Sequence, residues 1–167
     1  ARRPDGWAAD IELPRSETRL PKHALTIEEV EKILSLPNVE EPGGIRDRAL
    51  LEVLYSTGIR REELSKIKVY DVDRRQSTIM VRQGKGKRDR LLPIGARALM
   101  WVEKYLADAR PALVMSPDHG YLFVGKRYGD QMTARHVGRI TKDYVDKASL
   151  NKKGACHLFR HAMATHF

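Results

Sequence analysis

The sequence predicts a mainly helical α+β domain with one small three-stranded antiparallel sheet. Three observations carry that expectation. Apolar residues recur at helical spacing in several separate segments. One stretch reads as strand, glycine-rich hairpin and strand. No internal repeat or low-complexity tract competes with a single core, and 167 residues are enough to build one.

Residues 1–22 read as a linker, because Pro4, Gly6, Pro14 and Pro21 interrupt any helix while Arg2, Arg3, Arg15 and Arg19 keep the stretch solvated. Thr26 is a helix N-cap with Glu29 at the capping-box position. Ile27, Val30, Ile33 and Leu34 follow at helical spacing, and Pro37 stops the helix. A second helix is expected over 45–57, with Ala49, Leu50, Val53 and Leu54 as its apolar stripe and Gly58 at its end. A short helix over 61–66 comes next. Residues 69–72 and 78–82 read as strands, and 90–94 as a third, joined to the second by the hairpin 84–89. Pro93 and Gly95 close the sheet.

A long helix is expected over 96–109, with Leu99, Val102 and Leu106 inward. Residues 111–129 read mostly as loop, with a short strand over 121–124. Residues 133–148 form a basic amphipathic helix and 151–154 a polar loop. The last helix begins near His157 and runs to Phe167.

The charge balance points outward from the fold. There are 31 Lys and Arg against 22 Asp and Glu, a net +9, and for a basic domain nucleic acid is the leading polyanion partner. The single cysteine, Cys156, excludes an internal disulfide and a Cys-based zinc site, and fits a reducing cytosol. No apolar run approaches membrane-span length and no signal peptide is visible, so a cytoplasmic protein without a membrane partner is expected. The chain has no initiator Met and stops abruptly at Phe167, which reads as a fragment of something longer.

Three motifs stand in order: Thr57-Gly58-Ile59-Arg60-Arg61-Glu62-Glu63-Leu64, then Gly84-Lys85-Gly86-Lys87-Arg88-Asp89-Arg90, then His157-Leu158-Phe159-Arg160-His161. An Arg after a helix, a Lys in a hairpin and a His-x-x-Arg helix, in that order, resemble the tyrosine recombinases: phage and integron integrases and the Xer-type resolvases. The likeness runs from about His23 to the end of the chain. It implies breakage and rejoining of DNA through a 3′-phosphotyrosyl link, a reaction that exchanges one phosphoester for another and needs neither ATP nor a metal. In the intact parent it implies a homotetramer on double-stranded DNA, with a separate DNA-binding domain ahead of the linker. This chain alone is expected to be a monomer.

The resemblance assigns roles residue by residue. Arg60 and Arg160 are the two arginines that face the phosphate; each stays protonated and offers a planar fork of donors to phosphate oxygens. Lys85 is the general acid for the departing 5′ oxygen, with Lys87 as the competing choice. His157 handles a proton at the scissile phosphate. Glu63 matches the family's acidic residue and is expected to orient Arg60. His161 is expected to pack against a neighbouring element and position the site. Phosphate contacts are expected from Lys87, Arg88 and Arg90, and from Arg135 and Arg139 on the basic helix, which also carries His136 and Lys142.

His157 and His161 also have the i, i+4 spacing of zinc ligands. No Glu lies between them, no Cys set completes a site, and His166 would reach them only if the helix broke. No metal and no other cofactor are therefore expected. Cys156 reads as a buried structural thiol. The family's nucleophilic Tyr lies beyond the His-x-x-Arg helix. Tyr55, Tyr70, Tyr105, Tyr121, Tyr128 and Tyr144 all precede it, so the fragment is expected to bind DNA without cutting it. The competing reading is a non-catalytic DNA-binding module from a truncated integrase. A metal-dependent nuclease is a weaker third, because carboxylates and histidines do not cluster at ligand spacing.

Overall fold

The computed structural model describes residues 24–83, Gly86 and residues 88–167. The expected linker at 1–22, and Gly84, Lys85 and Lys87 of the hairpin, lie outside the described residues. Helix α1 spans Ile27–Leu34 and carries both halves of the capping box: the Glu29 N–H donates to Thr26 Oγ1 at 3.2 Å and the Thr26 N–H to Glu29 Oε2 at 2.8 Å. Helix α2, Pro42–Thr57, starts three residues before the expected Ile45, because Pro42 suits a first helical turn, where its missing N–H has no partner to lose.

Helix α2 is the centre of the molecule. The sequence reading gave it one apolar stripe, but Leu51, Glu52 and Tyr55 are buried as well, because α1, α4, α5 and α7 pack around it. A helix surrounded on all sides has no solvent face to mark with a polar stripe. Its buried charges are all partnered. The Arg46 guanidinium donates to Asp47 Oδ1 at 3.0 Å and to the Val124 carbonyl at 3.1 Å, while the Tyr144 hydroxyl donates to Asp47 Oδ2 at 2.7 Å. Glu52 accepts from Arg48 at 3.0 Å and from Arg97 at 3.1 Å. These bonds tie α2 to α4, to α6 and to the 121–132 segment.

After Gly58 comes the short helix α3, Arg61–Ser65. The strand expected over 69–72 is instead a 3₁₀ turn, Val69–Asp71, followed by the two-residue strand β1, Val72–Asp73. The reason is Asp71, whose carboxylate accepts the Lys68 N–H at 2.9 Å and the Arg82 guanidinium at 2.8 Å, closing a tight turn rather than an extended run. Strands β2, Thr78–Val81, and β3, Arg90–Pro93, complete an antiparallel sheet in the order β1-β2-β3, with Val81 opposite Arg90. Ile79 and Val81 face the core.

Helix α4, Ala96–Lys104, runs into a wider π turn at Tyr105–Ala109 and then into α5, Arg110–Leu113. The sequence reading placed loop from Pro111. The helix continues because the π turn restarts it, which puts Pro111 in a first turn where its lack of an N–H costs nothing. Buried Arg110 then clamps the following loop through Asp118, at 2.7 and 2.8 Å, and the Tyr121 carbonyl. The strand expected at 121–124 is reduced to isolated bridges, Lys68 with Tyr121 and Val124 with Gln131. Helix α6 is Ala134–Lys147, capped by Thr133, and α7 is Cys156–His166. Lys152 pairs with Glu29, fixing the loop before α7 to the start of α1.

The Arg46–Asp47–Tyr144 cluster gives a stability prediction. Asp47→Ala leaves the Arg46 guanidinium buried without its counter-charge and should cost about 3–5 kcal/mol. Tyr144→Phe removes one hydrogen bond and should cost about 1–2 kcal/mol. Urea denaturation of the two variants checks the ranking, and equal losses would show that Arg46 does not depend on Asp47.

Candidate active site

The end of α2 is built to turn. The Thr57 hydroxyl donates to the Val53 carbonyl at 2.7 Å and accepts the Ile59 N–H at 3.2 Å. Gly58 takes the left-handed conformation, φ 63°, that β-carbon-bearing residues resist. Buried Ile59 anchors the next step, and Arg60 emerges half-exposed at the N-terminus of α3.

Gly58 also sets how closely α7 approaches. A β-carbon at Gly58 would lie 2.3 Å from Met163 Cε and 3.5 Å from Arg160 Cγ, so the stem of Arg160 passes directly over this turn. At the start of α7, Gly154 takes a positive φ of 148°, and a β-carbon there would meet the His157 ring at 2.6 Å. Cys156, Leu158, Phe159 and Ala162 are buried and fix the rotation of α7. His157 is thereby turned to solvent and Arg160 to the Gly58 turn.

The result is a cleft of about 340 Å³ lined by Arg60, Arg61, Cys156, His157 and Arg160, with Ile59, Glu62 and Ala155. Arg60, His157 and Arg160, drawn from two distant parts of the sequence, share one wall. His161 does not pack against a neighbouring element as expected. It is exposed, and its ring faces that of His157, edge to face at 6.5 Å between centroids. His166 lies elsewhere, its Nδ1 bonded to the Tyr55 hydroxyl at 2.7 Å. Cys156 is buried with its thiol donating to Thr141 Oγ1 at 3.5 Å. Burial pushes that thiol up, and the Thr141 bond and the charge of Arg61 offset only part of the rise.

Glu63 has a different principal partner from the one expected. Both its oxygens accept from the Arg90 fork, at 2.7 and 2.8 Å, whereas its closest approach to the Arg60 guanidinium is 3.7 Å. It also accepts the Arg60 backbone N–H at 3.1 Å. Arg90 is therefore engaged within the protein through two of its donors. Its fork joins strand β3 to the first turn of α3 beside the cleft. The pair was hidden in the sequence because its members belong to different elements with no spacing rule between them.

Lys85 and Lys87 lie outside the described residues. Around them, Gly86 takes a positive φ of 81°, the Gln83 N–H donates to Asp89 Oδ1 at 2.8 Å, and Arg88 is exposed. On α6, Arg135 and Arg139 are exposed one turn apart, while Lys142 is paired with Asp146 at 2.6 Å. His136 is half-buried; burial, then the charges of Arg46 and Arg139, hold it below the usual imidazole value. The sequence reading missed Arg61 as a lining residue. The clue available was a glycine in the middle of an otherwise regular α6, at Gly138.

The chain matches the phage integrase family over residues 23–167. It is similar to the tyrosine recombinase XerC 2 of Ralstonia nicotianae, 45% identical over 159 residues, which are 95% of this chain and 45% of that protein. It is similar to XerC of Bacillus subtilis, 39% identical over 158 residues, 93% of this chain and 51% of that protein. The crystal structure of XerA recombinase aligns with a TM-score of 0.72 at 33% identity, covering 86% of this chain and 49% of that one. XerH recombinase bound to its difH substrate before cleavage aligns with a TM-score of 0.70 at 25% identity, covering 87% and 42%. The chain spans about half the length of the curated relatives it matches.

The Glu63–Arg90 clamp has a pH signature. Arg90's hydrogen bonds hold the Glu63 carboxyl below its ordinary 4.5, against burial that pushes it up, and Arg60 acts in the same downward direction. A depressed folded value means that the contribution is complete above the unfolded pKa and is lost as pH falls through the folded one. Glu63→Gln should therefore lower Tm at neutral pH by roughly 4–8 °C, for about 2 kcal/mol, and flatten the acid-side decline. Thermal melts from neutral to about pH 2 check this; parallel acid limbs would refute the clamp's share in the decline.

Proposed function

The chain belongs to the phage integrase family, and from that premise we propose that it is the phosphate-binding part of the catalytic domain of a tyrosine site-specific recombinase. The observation that carries the reading is the convergence of Arg60, Arg160 and His157 on one cleft. Two guanidiniums and an imidazole on one wall suit a phosphodiester whose non-bridging oxygens gain charge as it is attacked. Donors fixed in advance by packing act most strongly on charge that develops in the transition state.

On this reading the hydroxyl of a tyrosine attacks the scissile phosphorus. A phosphorus–oxygen bond to the tyrosine forms as the bond to the 5′ oxygen breaks, and a general acid on the β2–β3 hairpin, Lys85 or its neighbour Lys87, protonates the departing 5′ oxygen. The free 5′ hydroxyl of a partner strand reverses the step, so the energy of the phosphodiester is kept in the 3′-phosphotyrosyl link. Arg60 and Arg160 hold the phosphate, and His157 moves or holds a proton beside it. Glu63 and Arg90 keep Arg60's helix and strand β3 in register. The partner is double-stranded DNA, and the working assembly of the complete enzyme is a homotetramer on two duplexes in the cytoplasm. No helix among the described residues is long and apolar enough to cross a membrane.

None of the six tyrosines lines the cleft. Tyr55 and Tyr105 are core residues and Tyr144 donates to Asp47. These 167 residues by themselves should therefore bind duplex DNA without becoming trapped on it. A denaturing gel after incubation with nicked duplex tests this, and a covalent protein–DNA band would overturn it. In a recombinase containing this domain, Arg60→Ala or Arg160→Ala should reduce cleavage at least 10²–10³-fold with little loss of Tm. Full cleavage by Arg160→Ala would refute the assignment.

A further inference from the structure

Resting on that reading of the cleft, we propose that Arg61 is a second phosphate ligand, seated on Gly138 of α6 and aimed at a phosphate next to the one held by Arg60 and Arg160. Arg61 follows Arg60 at the first position of α3, is exposed, and lines the same cleft. Its side chain lies close against a second helix: a β-carbon built on Gly138 would be 2.9 Å from Arg61 Nη1, 3.6 Å from Cδ and 3.9 Å from Cζ.

Glycine in the middle of a helix costs about 1 kcal/mol relative to alanine. Gly138 sits in the interior of α6, buried, with no positive φ and no turn to justify it. What its missing side chain admits is the Arg61 fork. Other arginines of the fold commit that fork to carboxylates: Arg46 to Asp47, Arg90 to Glu63, Arg97 to Glu31 and Glu52, and Arg110 to Asp118. Among the described residues Arg61 has no such partner, although its helix carries Glu62 and Glu63. A guanidinium positioned by packing and left without a counter-ion is a site for an external anion.

The direction follows from what the two elements carry. Arg60 and Arg160 line the cleft with Arg61, and α6, which holds Gly138, also carries the exposed Arg135 and Arg139. Successive phosphates of one strand are spaced by roughly 3.4 Å along the duplex axis. Arg61 thus bridges the cleft to the basic face of α6 along one continuous strand, and the ligand is the backbone of duplex DNA, not a base edge.

The test measures affinity of the 167-residue chain for a labelled duplex between roughly 50 and 200 mM NaCl, where each neutralised phosphate contributes about 0.9 to the log–log salt slope. Arg61→Met should lower the slope by about 0.9, and Arg61→Lys should restore it. Gly138→Ala separates this role from a merely structural one. The clash falls on the flexible end of a side chain, so Tm should hold or rise with the better helix former, while affinity falls several-fold as Arg61 is displaced. If the wild-type chain binds DNA and Arg61→Met keeps the wild-type slope, the second ligand is refuted and the cleft reading stands. If Gly138→Ala binds as tightly as wild type, the seat is refuted. Failure of the wild-type chain to bind duplex at all would overturn the reading of the cleft itself.

Discussion

A single carboxylate, almost entirely withdrawn from water, ties the sheet to the helix that carries Arg60 and Arg61 into the cleft. The Glu63 side chain is 9% exposed and carries three bonds, two from the Arg90 fork and one from the Arg60 backbone. Arg90 is in β3 and Arg60 is at the turn out of α2, so the carboxylate is the point where sheet and helices meet. A planar guanidinium against a planar carboxylate fixes angle as well as distance. The sheet therefore cannot slide along α3 without breaking both bonds at once, and Val81 opposite Arg90 carries that constraint into the base of the hairpin.

The same device recurs deeper in the fold. Asp47 and Glu52 are buried on α2, and each collects partners from elsewhere: Tyr144 on α6 for the first, Arg97 on α4 for the second. Apolar packing alone would bring these helices together without fixing their rotation. Buried ionic groups must be met by correctly aimed donors, so a helix turned by even part of a step leaves a charge unpaired at a cost of several kcal/mol. Rotation matters here because α7, packed on α2, presents His157 and Arg160 to the cleft only when Cys156, Leu158 and Phe159 face inward.

Local chemistry was legible in the sequence, and distant chemistry was not. The Thr26–Glu29 capping box, the glycine turn at Gly58 and the three-residue spacing of His157 and Arg160 are rules about neighbours, and each appears in the structure. The short polar turn at Val69–Asp71 was misread as strand because its apolar residues looked extended while the deciding contact, Asp71 with Arg82, joins separate elements. The π turn at Tyr105–Ala109 left no local mark either; Tyr105 stacks on Phe123 at 5.3 Å and accepts the Val124 N–H, which only the folded chain brings near. For the site, motif order placed Arg60, His157 and Arg160 together, but Glu63's choice of Arg90 over Arg60 is a matter of tertiary reach.

These pairings also explain why a chain with 22 acidic residues presents a basic cleft. Glu63, Asp47, Glu52, Asp71 and Asp118 are each turned to an arginine within the protein. Asp118, with two bonds from Arg110 and one from the Gly120 N–H, is held down to about 2, so it stays committed well into acid. Carboxylates used in this way are turned from Arg61 and Arg160, and Glu63 reaches the Arg60 guanidinium only at 3.7 Å while its two short bonds go to Arg90. Like charges gathered on one wall repel one another, and only the surrounding packing, the Gly58 and Gly138 approaches above all, keeps them there. The repulsion is relieved when a phosphate arrives, whereas the geometry is in place before it does. A cleft of this kind gives up stability in the empty protein in exchange for donors that need no rearrangement at the moment charge appears.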